Sequence, residues 1–400
     1  MGELITLRKG TQSSGERYAG VDIVKIIAMY SVLSLHFCLH AGYYSFPVRT
    51  RSGVLLSLFR IASYMCVPLF LTISGFLMHK AEFCAKHYIR AIPVAINSYI
   101  VGAIVVAFKI LYLHEKWPPF VWVRSVYLFD QPSYGWYVNM YLSLLMFMPF
   151  INYAYRSMKS GKQKLAALVV LGVIGNAAYT INRIPITVSG EVTNIGWVPS
   201  AFVSLWPVTY YWSGLMIAEY RPKINRVISA LTALVLLMTE VAVNYFTVKP
   251  EQGGGWYTGF NFNNEDFLNV IVAAFIFLTF YDIKIKNKVV CRVLSAVAGL
   301  SMTVYLMSFI GDVLYVRHFI KGENSPAIFI ARYFKIIPLH FLLTVLVSFP
   351  VNFLAKLLGR LVSKPLYWLA SPKKKPVPAA ETAVPETEFS ETGAETDNEQ

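Results

Sequence analysis

Lys25 and His36 stand eleven positions apart in the first apolar stretch of the chain, GVDIVKIIAMYSVLSLHFCLH. On an α-helix, at about 100° and 1.5 Å per residue, they fall about 20° apart around the axis and about 16 Å apart along it. Asp22 falls about 60° from Lys25 by the same arithmetic. One stripe of a single helix therefore carries an acid and a base near one end and an imidazole past the middle. A cation so placed can hold an anionic group, and a buried imidazole can take a proton from a hydroxyl. A buried ion pair at the helix start, with an interhelical hydrogen bond from His36, would produce the same stripe, so the residues alone leave both readings open. Cys38 is no partner for His36, because two positions turn it about 200° away. The other cysteines, Cys66, Cys84 and Cys291, are scattered and form no zinc-type spacing.

The elements that must position this stripe follow from composition. The chain has 400 residues, of which 56% are apolar and only 14% charged. A soluble domain carries about 25% charge, so this chain has too little to cover a wetted surface. The class that remains is all-α, a polytopic transmembrane helical bundle. Apolar runs at roughly 20–54, 55–78, 91–113, 136–155, 165–182, 201–220, 227–247, 267–281, 293–315 and 327–355 predict about ten membrane-spanning helices, given the about 20 residues that a span needs.

Net charge is +14, but Pro376–Gln400 holds seven acids and no Lys or Arg. The basic residues elsewhere sit mostly in short segments between apolar runs, which points to membrane orientation and away from nucleic acid. With the N-terminus inside, the inner segments hold 23 Lys and Arg and the outer ones 8, so both termini are expected in the cytoplasm. Five bases, Lys25, Arg60, Lys109, Arg332 and Lys335, fall within spans or at their edges, as do the acids Asp22, Glu219, Glu240 and Asp312. Such groups either snorkel or face a bundle interior, since a charge near mid-bilayer costs about 2.5–3.5 kcal/mol. The expected organisation is a cytoplasmic segment at 1–19, a transmembrane domain at 20–360, and a basic then acidic disordered cytoplasmic tail at 361–400.

The sequence resembles the acyltransferase 3 family of integral membrane enzymes. The family shows an Arg-x10-His pattern in its first helix, and here the matching positions are Gly20, Asp22, Lys25, Ala28 and His36, with Lys in place of Arg. Lysine keeps the cation and loses the planar fork. Five further stretches agree in order: VPLFLTISGFLM at 67–78, AKHYIRAIP at 85–93, GWYVNMYLSLLMFMPFIN at 135–152, YYWSGLMIAEY at 210–220 and LSAVAGLSMTVYLMSF at 294–309. In the last, Ser308 stands where the family has a histidine. The likeness covers about 1–360.

The resemblance implies an acyl-CoA donor, with acetyl-CoA the expected one, used as a substrate with no bound cofactor or metal. It implies catalytic roles for His36, Lys25 and Asp22, with His36 the general base. A basic mouth for the donor phosphates would be formed by Lys86 and Arg90 beside Ser74 and Gly75, although positive-inside topology alone also explains the two cations. Arg60, Trp136, Tyr137 and Asn139 are expected to line the cavity, the two aromatic ones being equally suited to an interfacial belt. The loop 249–266 combines glycines, aromatics and amides that suit a sugar, or again a belt. The expected partners are acyl-CoA, a cell-surface or lipid-linked carbohydrate and membrane lipid, and the expected place is the plasma or inner membrane. The competing class is a transporter or glycolipid exporter without acyl-transfer chemistry. Its inverted-repeat form predicts matched broken helices in the two halves, and no repeat between 20–180 and 200–350 is evident.

Overall fold

The computed structural model describes residues 18–370, apart from 189–190, 200, 202–203, 249–259, 261 and 323. Most of the expected N-terminal segment, the glycine-rich part of the 249–266 loop and residues 371–400 of the tail lie outside the described residues.

The first half of the chain folds into α1 (Ala19–His40), α2 (Arg51–Tyr64), α3 (Cys66–Met78), α4 (Ala85–Ile89), α5 (Ala91–Leu111), α6 (Pro119–Tyr127), α7 (Trp136–Ser157), α8 (Gly161–Leu171) and α9 (Ala178–Asn182). A hairpin of β1 (Pro185–Val188) and β2 (Glu191–Asn194) follows. The second half holds α10 (Trp206–Tyr220), α11 (Arg226–Thr247), α12 (Phe267–Phe280), α13 (Lys288–Ala298), α14 (Ser301–Phe319) and α15 (Pro326–Leu369).

Six helical segments among the described residues are long and apolar enough to cross a bilayer: α1, α2 with α3, α4 with α5, Gly161–Asn182, α11 and α15. The pair α13 and α14, bent by 61°, makes a seventh if counted as one span. The sequence led us to expect about ten. The difference lies at 201–220 and 267–281, where α10 has 15 residues and α12 has 14, short of the about 17 that a span needs. It lies also at 136–155, where α7 is long enough but carries four tyrosines, two asparagines and Arg156. The tail boundary moves too, because α15 stays helical through Leu369 and takes in residues 361–369.

α1 is the hub. It packs against α2, α3, α12, α13, α14 and α15, and its apolar residues surround the axis, as suits a helix buried on all sides. Neighbouring backbones come close where side chains vanish. A Cβ on Gly75 would stand 1.9 Å from the Tyr211 carbonyl oxygen, and one on Gly214 would stand 2.1 Å from that of Thr72. These two glycines let α3 and α10 cross in near contact, the small-residue packing expected between membrane helices.

Candidate active site

His36 is buried in the C-terminal third of α1, with its ring stacked on Tyr134 at 3.8 Å and 27°. Its Nδ1 lies 3.1 Å from Oδ2 of Asp312 on α14. That carboxylate is 2% exposed. Tyr134 donates its hydroxyl proton to the same Oδ2 at 2.8 Å. The other oxygen, Oδ1, lies 3.2 Å from Nε2 of His340 on α15, an ion-pair distance without a well-aligned hydrogen bond. One buried acid thus meets two imidazoles and a phenol from three further segments of the chain.

Each partner is held in turn. Tyr134 sits in a 3₁₀ turn, Ser133–Gly135, that leads into α7, and its carbonyl accepts the Tyr305 hydroxyl at 2.7 Å. Its own hydroxyl oxygen also meets His40 Nε2 at 3.2 Å. Gly135 permits the turn, since a Cβ there would collide with the Phe129 carbonyl at 1.5 Å. Thr344 lies one turn beyond His340 and holds its Nδ1 at 3.2 Å. Gly311 leaves room for the His340 ring, whose nearest atom would be 2.1 Å from a Cβ on that residue.

The chemistry follows from the tautomer. A carboxylate accepts only, so the proton of neutral His36 sits on Nδ1 and the lone pair on Nε2. The arrangement presents a general base oriented by a buried acid, as in the His–Asp part of a hydrolase triad. Nothing among the described residues hydrogen-bonds to His36 Nε2.

Below this cluster lies a cavity of about 270 Å³, lined by Lys25, Phe70, Ser74, Tyr137, Tyr141 and Tyr305 among others. Its wall reaches Tyr305, whose ring centroid is 6.5 Å from that of His36. The cavity therefore runs from the Lys25 end of α1 to within one ring of the imidazole.

A sequence model of the family described as an acyltransferase domain matches residues 18–357. The chain belongs to the acyltransferase 3 family. No curated protein and no solved structure matches it at a significant level.

In this membrane acyltransferase the expected site residues divide. Lys25, Ser74 and Tyr137 come together around one cavity. Asp22 is buried one turn before Lys25 on α1. Lys86 and Arg90 are exposed, on α4 and at its end, and neither lines that cavity. Gly75, expected to admit a ligand, faces the α10 backbone, so its missing side chain serves helix packing. Arg60 is 2% exposed and away from the His36 cluster: it donates to the Tyr44 hydroxyl and the Phe262 carbonyl and lies 4.2 Å from the Tyr64 ring centroid. Trp136 is half-exposed, and Asn139, also exposed, spends its amide on the Leu128 carbonyl.

Asp312, His340, Tyr134, His40 and Tyr305 were not assigned to the site from sequence. Asp312 carried a signal, as an acid inside an apolar run. The rest carried none, because 276 positions separate His36 from Asp312 and no periodicity spans that distance.

Proposed function

We propose that this acyltransferase moves an acyl group, acetyl by preference, from cytoplasmic acyl-CoA to a hydroxyl of a cell-surface or lipid-linked carbohydrate. The observation that carries the reading is the His36–Asp312 pair standing one aromatic ring beyond a cavity that begins at Lys25. The Lys25 end of the bundle faces the cytoplasm in this reading, in keeping with the 23-to-8 bias in basic residues. The pantetheine arm enters beside Ser74 and Tyr137, and Lys25 holds an anionic part of the carrier. Lys86 and Arg90, exposed where the chain leaves α3, attract the nucleotide phosphates from solvent.

His36 Nε2 takes the acceptor's hydroxyl proton as that oxygen attacks the thioester carbonyl. Asp312 stabilises the imidazolium that forms. The tetrahedral intermediate collapses, the carbon–sulfur bond breaks, and the imidazolium returns its proton to the departing thiolate. Ester and free CoA leave the site, with no net proton gained or lost.

The test is transfer of label from radioactive acetyl-CoA to candidate glycans by the purified protein. Wild type should form acylated glycan, and a well-folded His36→Ala protein should lose about 10²–10⁴-fold in rate while still binding CoA. Wild-type transfer by that variant would refute the assigned base. Translocation of a glycolipid with no acylated product would favour a transporter.

A further inference from the structure

One member of the His36 cluster is exposed. His36, Tyr134, Asp312, His340 and Tyr305 are all buried. His40 reaches solvent, one turn beyond His36 on α1, and the two ring centroids stand 6.5 Å apart. Its Nε2 lies 3.2 Å from the Tyr134 hydroxyl oxygen. The proton transfers assigned to His36 and Asp312 make no use of that contact.

Tyr134 has one hydroxyl proton and two neighbours able to take it. Oδ2 of Asp312 is 2.8 Å away and His40 Nε2 is 3.2 Å away. A carboxylate accepts only, and an imidazole nitrogen accepts only when bare. The tautomer of His40 therefore sets the direction of the chain. With the proton on Nε2, His40 donates to Tyr134 and leaves the phenol with Asp312 alone as acceptor. With the proton on Nδ1, bare Nε2 competes for the phenol proton, and Asp312 loses a donor each time it wins. The geometry favours the first arrangement. The Tyr134–Asp312 contact is the shorter of the two. It ends on a charged acceptor, and bonds of that kind are roughly twice as strong as neutral ones. Nδ1 of His40 forms no hydrogen bond among the described residues, so none of them holds a proton there.

The rest of Tyr134 is fixed by other groups. Its ring stacks on His36 at 3.8 Å and meets Phe309 edge-on at 5.5 Å and 76°, and its carbonyl accepts the Tyr305 hydroxyl. What is left for His40 to set is where the phenol points its proton. Hydrogen bonds in a chain polarise one another, so a donor at one end is felt at the other. At the other end is the carboxylate oxygen that holds His36 Nδ1, 3.1 Å away.

We propose that His40 is a positioning residue for acyl transfer. It donates through Nε2 to Tyr134, keeps the phenol proton directed at Asp312, and so keeps Asp312 aligned with His36 Nδ1. It acts through Tyr134 and touches no reacting atom. The inference rests on the acyl-transfer reading above and adds a residue that orders the base. A base in the last turn of a helix also suits the helix dipole, but that effect needs neither Tyr134 nor an N–H donor at Nε2.

The test is a double-mutant cycle on the full chain, with acetyl-CoA as donor. His40→Leu removes one hydrogen bond between neutral groups, so kcat should fall by about 2–10-fold, with KM for acetyl-CoA unchanged. His40→Gln puts an N–H back at the place of Nε2 and should restore most of the rate. In a Tyr134→Phe protein, His40→Leu should cost nothing further. No loss in His40→Leu, equal losses in the two His40 variants, or an undiminished loss in Tyr134→Phe would each overturn the proposal. Nitrogen-15 NMR of histidine-labelled protein reads the same chain without turnover. His40→Leu should shift the His36 Nδ1 signal, His40→Gln should not, and neither should act in Tyr134→Phe. That pattern beside a wild type that transfers nothing would sink the acyl-transfer reading alone. Normal transfer with a His36 signal indifferent to His40 would sink the role of His40 alone.

Discussion

Asp312 and Glu240 both lie deep among the helices of this protein, and their surroundings are opposite. Asp312 on α14 meets His36, Tyr134 and His340, within 2.8–3.2 Å. Glu240 on α11 is fully buried, and neither of its oxygens has a hydrogen-bond partner among the described residues. From sequence the two look alike, each a single acid in an apolar run. The difference teaches that burial of an acid is not what marks a site. What marks it is the convergence of titratable and hydroxyl groups from distant segments, each held by a contact of its own.

The largest effect should come from removing the acid that has partners. Asp312→Ala takes away the group that fixes the His36 tautomer, so transfer should fall by about 10²–10⁴-fold, comparable to loss of the base itself. CoA affinity should change little, because Lys25 is about 16 Å down the helix from His36. Steady-state transfer and CoA binding, measured on the same purified variant, check both halves. Transfer close to wild type would make Asp312 and Glu240 equivalent and dissolve the comparison.

A smaller step keeps the acid and removes one donor. Tyr134→Phe deletes the 2.8 Å hydrogen bond to Asp312 but keeps the ring that stacks on His36. A hydrogen bond to a charged group contributes about 1.5–3 kcal/mol, so transfer should drop by about 10–100-fold, with the protein still folded. A loss as large as that of Asp312→Ala would give Tyr134 a direct role on the substrate. Lys25→Ala sharpens the comparison from the other end of α1. It should weaken CoA binding by about tenfold, the lower edge for a charge-assisted contact, and leave the transfer rate at saturating donor near wild type. Replacing exposed Lys86 and Arg90 should matter less, and its effect should vanish at high salt. The opposite ranking would move the donor site from the cavity to the surface.

How much of this was legible in the sequence depends on whether the signal was local. The helical membrane class and the stripe of Asp22, Lys25 and His36 needed only composition and the helical repeat. Hydropathy marks about ten apolar runs, whereas six helical segments among the described residues, or seven with the bent pair, are long and apolar enough to cross, and short helices such as α10 and α12 carry many buried residues. Gly75 drew attention as a close-approach position, and it is one, but the approaching backbone belongs to α10. Lys86 and Arg90 were joined to the donor site by proximity in sequence alone, and their side chains point to solvent. Asp312 stood out only as a lone acid in an apolar run, and its meeting with the other members of the His36 cluster was out of reach. Tyr134, Asp312 and His340 come from three segments, the turn before α7 and the helices α14 and α15, whose meeting at α1 is set by tertiary packing.

The smallest effect should come from the acid without partners. Glu240→Gln keeps the size and shape of the side chain and removes the ability to carry charge. An ionised carboxylate in that position would cost several kcal/mol with no donor to offset it. The amide also brings two N–H donors, and the oxygens of Asn244 and Asn269, both fully buried, have no donor among the described residues. The variant should therefore match or exceed wild type in Tm, and transfer should be unchanged. Thermal unfolding in detergent, followed beside the acetyl-transfer assay, checks this. A marked loss of stability would mean that Glu240 is held as an anion by a cation. A selective loss of transfer with Tm intact would place Glu240 beside Asp312 as part of the working site, and the contrast between the two acids would fall.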